Sequence, residues 1–305
     1  MNRYVLKRLL QAFLVLLGVS FATFIVSHLT GDPVALMAPE NASREEKEQL
    51  RQFLGLDKPI AEQYLTFITQ AVQGNLGYSF VQRSKVLDLV LERLPATLEL
   101  ALVSFLLSLV IAVPLGIIIA LKRNTVWDFV VTALAMIGQA APGFWIGLML
   151  IIVFAVELKL LPVSGSGGLE YIVLPAVTLA LQSAARLTRL VRASMLEVLG
   201  SDYIRTARAK GMRNYVVLWV HTFRNAMIPV VTMAGLEFAE LISGAFITET
   251  IFAWPGIGRL AVNAVYQRDF PVVQGVVLVA AAGFVLVNLV VDMLYAAIDP
   301  RVKMK

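Results

Sequence analysis

Two carboxylates lie inside an apolar stretch of the chain, where a charge is costly. Glu237 and Glu240 fall within the apolar segment 226–250 and stand three residues apart, so a helix places them on one face. A charge at the centre of a bilayer costs about 2.5–3.5 kcal/mol on insertion scales. Their face is therefore expected to point into a helix bundle or a water-filled path. Either they line a route and attract a cationic group, or they bind an arginine or hydrogen-bond donor of a neighbouring helix.

Further polar residues inside apolar segments give a weaker form of the same signal. These are Gln139, Gln182, Asn288 and Asp292. For Asp292, near the end of the last segment, a structural pair or a water contact is expected. Arg186, Arg189 and Arg192 recur every third residue towards one end of another segment. Their spacing favours snorkelling to lipid phosphates over contact with a partner.

Signatures of catalysis and of metal binding are missing from the sequence. It contains no GxxxxGK[ST], HExxH, GxSxG or CxxC pattern, and no nucleophile–base or paired-aspartate arrangement inside an apolar segment. The chain has no cysteine and only two histidines, His28 and His221, so no metal site is expected. The sequence predicts that this chain is not an enzyme. An ion-coupled secondary transporter or a channel remains open, with Glu237, Glu240 and Asp292 as its candidate ion-binding residues.

The composition is that of an integral membrane protein. The 305 residues are 58% hydrophobic and only 15% charged, and the mean hydropathy is +0.77. The net charge of +5 does not indicate a nucleic-acid partner, because the basic residues cluster beside apolar segments. Such clusters set the orientation of helices in a membrane and contact its lipid.

Six apolar segments are long enough to span a bilayer. They are residues 9–29, 97–121, 129–155, 172–192, 226–250 and 272–296. The first follows three basic residues and no clear cleavage site follows it, so we expect a membrane helix rather than a signal peptide. With both termini in the cytoplasm, the inner pieces hold 16 Lys and Arg and the two short outer loops hold three. This asymmetry supports that orientation.

The polar region 30–95 is patterned as helices on the outer side of the membrane. After a turn at Gly31-Asp32-Pro33, Ser43 and Glu46 form a capping box for a helix that stops at Gly55. A second helix begins near Pro59 and ends at Gly74, and residues 84–94 form a third candidate before Pro95. The sequence thus predicts an all-α integral membrane protein with six transmembrane helices and a helical extracytoplasmic insertion between the first two.

Prolines and glycines inside the apolar segments predict local departures from a straight helix. Pro114 and Pro142 each remove one helical hydrogen bond and are expected to kink their helices. Gly143 and Gly147 form a GxxxG pair that lets another helix approach closely. The glycine-rich stretch 163–168 lacks the lysine of a phosphate-binding loop and is interpreted as a turn.

The most basic break in the apolar chain is residues 202–229. Ser201 or Asp202 caps a predicted helix that runs to Lys210, and Gly211 ends it with a positive φ. Asn214 caps a second predicted helix, from Tyr215 to Phe223. Two short helices joined at a glycine make a compact knob that suits a cleft of a cytoplasmic protein, whereas a basic surface on anionic lipid is the simpler alternative.

Several short motifs together resemble one known family from end to end of the chain. They are Tyr4–Leu10, Gly31–Pro33, Leu54–Asp57, Arg93–Leu98, Tyr203–Gly211, Arg224–Pro229, Trp254–Gly258, Arg268–Pro271 and Asp292–Pro300. The sequence resembles ABC-transporter permeases of the dipeptide/oligopeptide/nickel and glutathione class, specifically the first of their two permease subunits. The resemblance implies the type I ABC importer permease fold. It also implies a bacterial inner-membrane subunit that forms half of the path for peptides, glutathione or a nickel chelate.

The resemblance further implies domains and partners. The domains are an N-terminal helix 1–29, an extracytoplasmic region 30–95, a permease domain 96–296 with coupling loop 197–225, and a tail 297–305. The partners are a second homologous permease, an extracytoplasmic binding protein and two cytoplasmic ATPases that bind ATP and Mg²⁺, with no cofactor in this chain. The residues implied in coupling are Arg205, Ala207, Arg208, Lys210 and Gly211. Here Arg205-Thr206-Ala207 stands where the wider family has Glu-Ala-Ala.

Overall fold

The computed structural model describes residues 2–30, 34, 38, 41–53 and 55–298. Within these residues the chain is helical, and its one β-type contact is an isolated bridge between Tyr78 and Lys85. The all-α prediction is therefore confirmed for this part of the chain. The predicted turn Gly31-Asp32-Pro33 and residues 299–305 of the predicted tail lie outside the described residues.

Twelve helices are numbered here in chain order for the described residues. They are α1 Asn2–Thr30, α2 Arg44–Phe53, α3 Ile60–Val72, α4 Val86–Leu121, α5 Val126–Ala140, α6 Gly143–Leu150, α7 Leu169–Leu199, α8 Asp202–Ala209, α9 Asn214–Val216 continuing to Gly244, α10 Phe246–Ile251, α11 Ile257–Tyr266 and α12 Phe270–Ile298. A π-helical stretch, Ile151–Glu157, extends α6, and another, Val217–Phe223, lies inside α9 between Asn214–Val216 and Arg224–Gly244.

Five of these helices are long and apolar enough to cross a membrane, and they are α1, α4, α7, α9 and α12. The pair formed by α5 and the extended α6 passes the same test together, although it bends by 105° at its break. Six spans result if that bent pair counts as one. The apolar segments predicted from the sequence thus coincide with helices, while the exact number of spans stays a prediction.

The prediction of a separate third helix over residues 84–94 is wrong. Residues 86–94 form the beginning of α4, which runs without a break through Pro95 and Pro114. Each proline removes only one backbone donor, and the surrounding apolar run keeps the other hydrogen bonds inside the helix. With 36 residues, α4 is about 54 Å long, so part of it must extend beyond a hydrocarbon core of roughly 30 Å.

The chain folds as two compact units, of which the first comprises residues 1–97 and 255–285. In this unit α3 packs on α1 through an aromatic cluster. The ring of Tyr64 lies 5.3 Å from that of Phe21 and 5.4 Å from that of Phe24. The Tyr64 hydroxyl also lies 2.9 Å from the Ser20 hydroxyl and donates to the Leu17 carbonyl. An amphipathic helix from the polar insertion is thus fixed to a membrane-length helix.

The caps predicted in the insertion are confirmed at both ends of α2. The Glu46 N–H donates to the Ser43 hydroxyl at 3.2 Å, and the Ser43 N–H donates to the Glu46 carboxylate at 2.7 Å. This reciprocal pair is the capping box that satisfies two free backbone donors. Gly55 follows the helix with φ of 67°, and Gly74 follows α3 with φ of 81°. Both glycines occupy the left-handed region that other residues enter at a cost.

A buried carboxylate in the first unit holds a short loop, residues 78–85. Asp269 is 1% exposed and accepts from the Ser79 hydroxyl at 2.5 Å. It also accepts from the backbone N–H groups of Phe80 at 3.2 Å and Val81 at 3.3 Å. Ser79 in turn accepts from the Gln82 N–H at 2.8 Å. One carboxylate therefore accepts from three donors of the loop.

Asp269→Ala is expected to loosen this loop selectively. The substitution leaves three donors without their acceptor, and for the buried Ser79 hydroxyl this costs about 1–3 kcal/mol. We expect the amide hydrogens of residues 79–82 to exchange at least tenfold faster, with exchange in the second unit unchanged. Hydrogen exchange read by mass spectrometry measures this. If the amide hydrogens of residues 79–82 exchange at the same rate in the variant as in the unaltered protein, other contacts hold the loop.

The second compact unit comprises residues 98–254 and 286–305. Within it, the predicted kink at Pro142 is a sharp break between α5 and α6. The Gln182 side chain of α7 donates to the Ala141 carbonyl at 3.0 Å and so satisfies a backbone group at the break. A Cβ atom at Gly143 would lie 3.1 Å from Gln182 Oε1, and one at Gly147 would lie 3.2 Å from a ring carbon of Phe252, so both glycines are closely packed. The close approach predicted from the GxxxG pair is confirmed.

Gly116 allows a close approach between α4 and α7. A Cβ atom at this position would lie 2.6 Å from the Cβ of Val191 and 2.8 Å from the Thr188 carbonyl oxygen. Around this contact, α4, α7 and α9 form an apolar cluster. Its buried members are Ile117, Ala120, Val191, Met195, Ala226 and Val230.

Gly116→Ala is therefore expected to destabilise the protein by about 1–3 kcal/mol, since the added methyl group overpacks the helix contact. Gly18→Ala is the matched control, because Gly18 lies in a helix and a Cβ atom there meets nothing within 4 Å. That control should be neutral or stabilising by up to about 1 kcal/mol. Thermal unfolding of the two purified variants in detergent compares them, and equal midpoints would contradict the close contact.

Candidate functional site

A buried ion pair connects α7 and α9. The Arg186 guanidinium donates from Nε and Nη2 to the two carboxylate oxygens of Glu237, both at 2.6 Å. The Ser183 hydroxyl donates to the same carboxylate at 2.6 Å. Glu237 is 1% exposed, so its charge is compensated entirely by these donors of α7. Arg186 also reaches Glu240 at 3.3 Å, whose side chain is 64% exposed.

The next two arginines of α7 connect this helix to α5. Arg189 donates to the side-chain oxygen of Gln139. Arg192 donates from Nε and Nη2 to the two carboxylate oxygens of Asp128, at 2.7 and 2.8 Å. Asp128 also accepts from the Asn124 N–H at 3.1 Å, which ties it to the start of α5.

These three arginines with their acceptors are called the arginine ladder below. The ladder overturns the interpretation that Arg186, Arg189 and Arg192 snorkel to lipid phosphates. Snorkelling requires the guanidinium groups to lie at the lipid surface, whereas here they turn towards neighbouring helices. Each of the three reaches an acceptor on another helix.

The two glutamates identified from the sequence differ in burial and in partners. Glu237 is buried and fully engaged, which matches the role of binding an arginine of a neighbouring helix. Glu240 is largely exposed, yet it lies on a membrane-length helix where contact with lipid is costly. Its surroundings must therefore be water or a polar group. The ladder is a row of polar side chains that binds α7 to α5 and α9 and leaves the Glu240 carboxylate largely exposed.

The short helix α8 is amphipathic, as predicted. Ile204 is fully buried and Ala207 is 8% exposed, and both pack against Val217 of α9. Arg205, Arg208 and Lys210 lie on the exposed face. Gly211 has φ of 76°, and its N–H donates to the Arg208 carbonyl, so it ends the helix as predicted.

Three details of the predicted knob are wrong. The second short helix, Tyr215–Phe223, is not separate, because its residues form the first part of the long helix α9. Arg213, not Asn214, occupies the N-cap position of α9. The Ser201 hydroxyl at the start of α8 donates to the Val198 carbonyl rather than accepting a capping bond. The segment is therefore one short helix and a glycine turn between two membrane-length helices.

Among the predicted coupling residues, Ala207 is placed in the interior, so its side chain supports α8 from within. The structure brings Gln139 into the arginine ladder and Gln182 to the helix break. Asn288 and Asp292 lie on α12 instead, and the Asn288 Oδ1 is buried without a hydrogen-bond partner among the described residues. No group of His, Cys, Asp and Glu side chains that could hold a metal occurs in the part of the chain described.

Two residues of this region, Asp128 and Ser183, are not among the candidates predicted from the sequence. A signal for Asp128 exists, because Thr125 followed three residues later by an acidic residue marks the start of a helix. The Asp128 N–H does lie 3.5 Å from the Thr125 hydroxyl, which caps α5. Ser183 carried no sequence signal, since a lone serine in a membrane helix usually bonds to its own backbone.

The five membrane-length helices of the described residues, two of which carry charged residues of the ladder, are those of a polytopic membrane protein. The family described as "Binding-protein-dependent transport system inner membrane component" matches residues 112–304, and its N-terminal companion matches residues 1–101. The chain belongs to this family of transport permeases.

Relatives and solved structures agree with this assignment. The chain is 40% identical to the dipeptide transport system permease protein DppB of Escherichia coli K12 over all of both chains. It is 44% identical to the glutathione transport system permease protein GsiC of the same strain, again over all of both chains. Among solved structures, an inward-facing MetNI methionine ABC transporter aligns with a TM-score of 0.56 and 20% identity, covering 69% of this chain and 96% of that one. An amino acid ABC transporter aligns at 0.51 and 18%, covering 70% and 94%.

These comparisons confirm the predicted type I ABC importer permease fold and the resemblance on which it was based. The chain is a permease subunit of an ABC importer located in the inner membrane. The family assignment does not favour the ion-coupled transporter or channel that the glutamates had left open.

Proposed function

We propose that this permease imports short peptides or glutathione, driven by ATP hydrolysis in a separate chain. The full-length similarity to permeases named for dipeptide and glutathione transport is the observation that carries the proposal. The ligand itself is selected largely by an extracytoplasmic binding protein, on which the family name depends. This chain supplies half of the path, and a second, similar permease supplies the other half.

The orientation follows from the distribution of basic residues. If the three ladder arginines are not counted, thirteen Lys and Arg remain on the proposed inner side, compared with three in the two short outer loops. This asymmetry supports an orientation with both termini and α8 in the cytoplasm. The insertion with α2, α3 and the loop 78–85 then faces the binding protein outside.

The position of α8 explains how an ATPase would move the path. α8 joins the inner end of α7 to the inner end of α9, with Gly200 before it and Gly211 after it. The same two helices are bound to each other by Arg186 and Glu237. A displacement of α8 by the ATPase therefore acts on α7 and α9 together, and Asp128 extends the movement to α5. The ladder keeps these helices in register while the path changes from outward to inward access.

Uptake by proteoliposomes tests the proposal against the ion-coupled alternative. The complete transporter, with the second permease, the ATPases and the binding protein, is reconstituted with or without ATP on the ATPase side. We expect uptake of a labelled dipeptide or of labelled glutathione only with ATP and Mg²⁺. Uptake driven by a proton or sodium gradient without ATP would overturn the proposal.

A further inference from the structure

Two exposed segments of the first compact unit meet at the buried carboxylate of Asp269. The first is the loop 78–85, whose Ser79, Phe80 and Val81 donate to that carboxylate. The second is residues 265–268, which end α11 and directly precede Asp269. Six exposed residues on these two segments are called the outer patch below, and they are Tyr78, Val81, Arg83, Lys85, Tyr266 and Arg268.

The charged side chains that these two segments expose are all positive. Arg83 and Lys85 lie on the loop and Arg268 follows α11, and none of the three forms an ion pair within the described residues. The Asp269 carboxylate does not face solvent, because it is 1% exposed and accepts from the loop. The outer patch therefore presents positive charge to solvent, which complements a negatively charged partner.

The tyrosines and the backbone of the outer patch are typical of a binding surface. Tyr266 is 84% exposed and Tyr78 is 57% exposed. Tyrosine and arginine are enriched in protein interfaces, particularly among the residues that contribute most to affinity. Arg83 has φ of 50° and Arg268 has φ of 55°, in the left-handed region that residues other than glycine enter at a cost. Strained backbone of this kind clusters at functional sites.

The loop 78–85 lies well outside the bilayer in the proposed orientation. It directly precedes Val86, where α4 begins, and α4 is about 54 Å long. The apolar segment of α4 ends at Leu121, beside the inner Lys122, so the excess of about 24 Å over the hydrocarbon core extends outwards. An average helix tilt of about 20° shortens this by only a few ångströms. One headgroup layer is about 5–8 Å thick, so the loop lies beyond the lipid phosphates.

We infer that the outer patch is a docking surface for an acidic face of the extracytoplasmic binding protein. Its three cations bind carboxylates of that protein, and its two tyrosines pack against the same face. Guanidinium groups suit this role because they bind carboxylates in a planar, bidentate manner. Asp269 holds the loop in place beneath the contact. The inference rests on the proposed function, because it requires a binding protein and the proposed orientation.

The test measures the Kd of the dipeptide-loaded binding protein for the complete transporter in lipid nanodiscs. Arg83→Glu combined with Arg268→Glu is expected to raise the Kd about a hundredfold, because like charges then face each other. Tyr266→Ala should raise the Kd about tenfold, since it removes a central aromatic contact. Added salt should weaken binding by the unaltered transporter and should not weaken binding by the double variant.

Matched controls separate docking from folding and from a general effect of charge. Arg268→Lys keeps the charge and should retain most of the affinity. Lys159→Glu should leave the Kd unchanged, although Lys159 is also exposed on the proposed outer side and also has a positive φ, of 52°. The thermal midpoints of these variants should match that of the unaltered transporter, because the changed side chains are exposed.

Three results would overturn the docking surface. One is an unchanged Kd for the double variant, and another is an equal loss of affinity for Arg268→Glu and Lys159→Glu. The third is a double variant that co-purifies less anionic phospholipid at an unchanged Kd, which would assign the outer patch to lipid. If the loaded binding protein does not bind the unaltered transporter, the proposed function fails as well, whereas binding that is insensitive to the arginines removes the docking surface alone.

Discussion

Glu237→Ala is expected to destabilise the protein by about 3–5 kcal/mol, since it leaves the Arg186 charge without its main partner. Glu237 is almost completely buried, and Arg186 is only 29% exposed, so water cannot replace both hydrogen bonds. The loss of the Ser183 acceptor adds to the cost. Unfolding by denaturant in detergent micelles, followed by the fluorescence of the four tryptophans, measures the change.

Two further variants show whether the effect comes from an unpaired charge. The double replacement Arg186→Met with Glu237→Leu removes both charges and should recover most of the stability, because buried ion pairs are often replaceable by apolar residues of similar volume. Glu240→Ala removes the exposed carboxylate and should cost less than about 1 kcal/mol. Equal losses for the single and the double variant would contradict a buried ion pair at this position.

Reversing the exposed charges of α8 is expected to abolish ATP-driven uptake. The triple variant Arg205→Glu, Arg208→Glu and Lys210→Glu changes the sign of the proposed contact face, while Ile204 and Ala207 remain in place beneath it. Reversed charges at an interface cost several kcal/mol, so we expect at least a hundredfold weaker association with the ATPase. Uptake and co-purification of the ATPase from detergent extracts measure this loss.

The control for this variant is the pair Lys122→Glu and Arg123→Glu, which lies on the same proposed side of the membrane but outside α8. It should retain uptake and co-purify the ATPase normally. Thermal midpoints of both variants should match the unaltered protein, because all the changed side chains are exposed. A triple variant that still imports at the normal rate would exclude these residues from coupling.

Much of the fold could be predicted because membrane helices are encoded locally. The apolar length of a segment, the Ser43–Glu46 capping box and the glycine that follows a helix each act within one or two turns. The predicted helix end at Pro95 was wrong, although it was based on a local signal of the same kind. Pro95 did not end a helix, since the apolar run continues the hydrogen bonding on both sides of it.

The sequence predicted most residues of the functional site but not the contacts between them. The free-energy cost of a charge inside a membrane identified Glu237 and Glu240. The three-residue spacing identified Arg186, Arg189 and Arg192. Which of them meet depends on how α5, α7 and α9 pack, and sequence spacing carries no such information between helices. The exposure that separates Glu240 from Glu237 is likewise a property of packing, although the two residues are only one turn apart.

The contact between α8 and a separate ATPase can be measured directly, because the chain contains no cysteine and single cysteines can be introduced cleanly. Arg208→Cys places a thiol on the exposed face of α8, and Glu170→Cys places one at the opposite end of α7. In membranes that hold the complete transporter, a short cross-linker with one thiol-reactive and one amine-reactive end should join Cys at position 208 to lysines of the ATPase and leave position 170 unlinked. Linkage from position 170 and none from position 208 would contradict both the orientation and the role of α8.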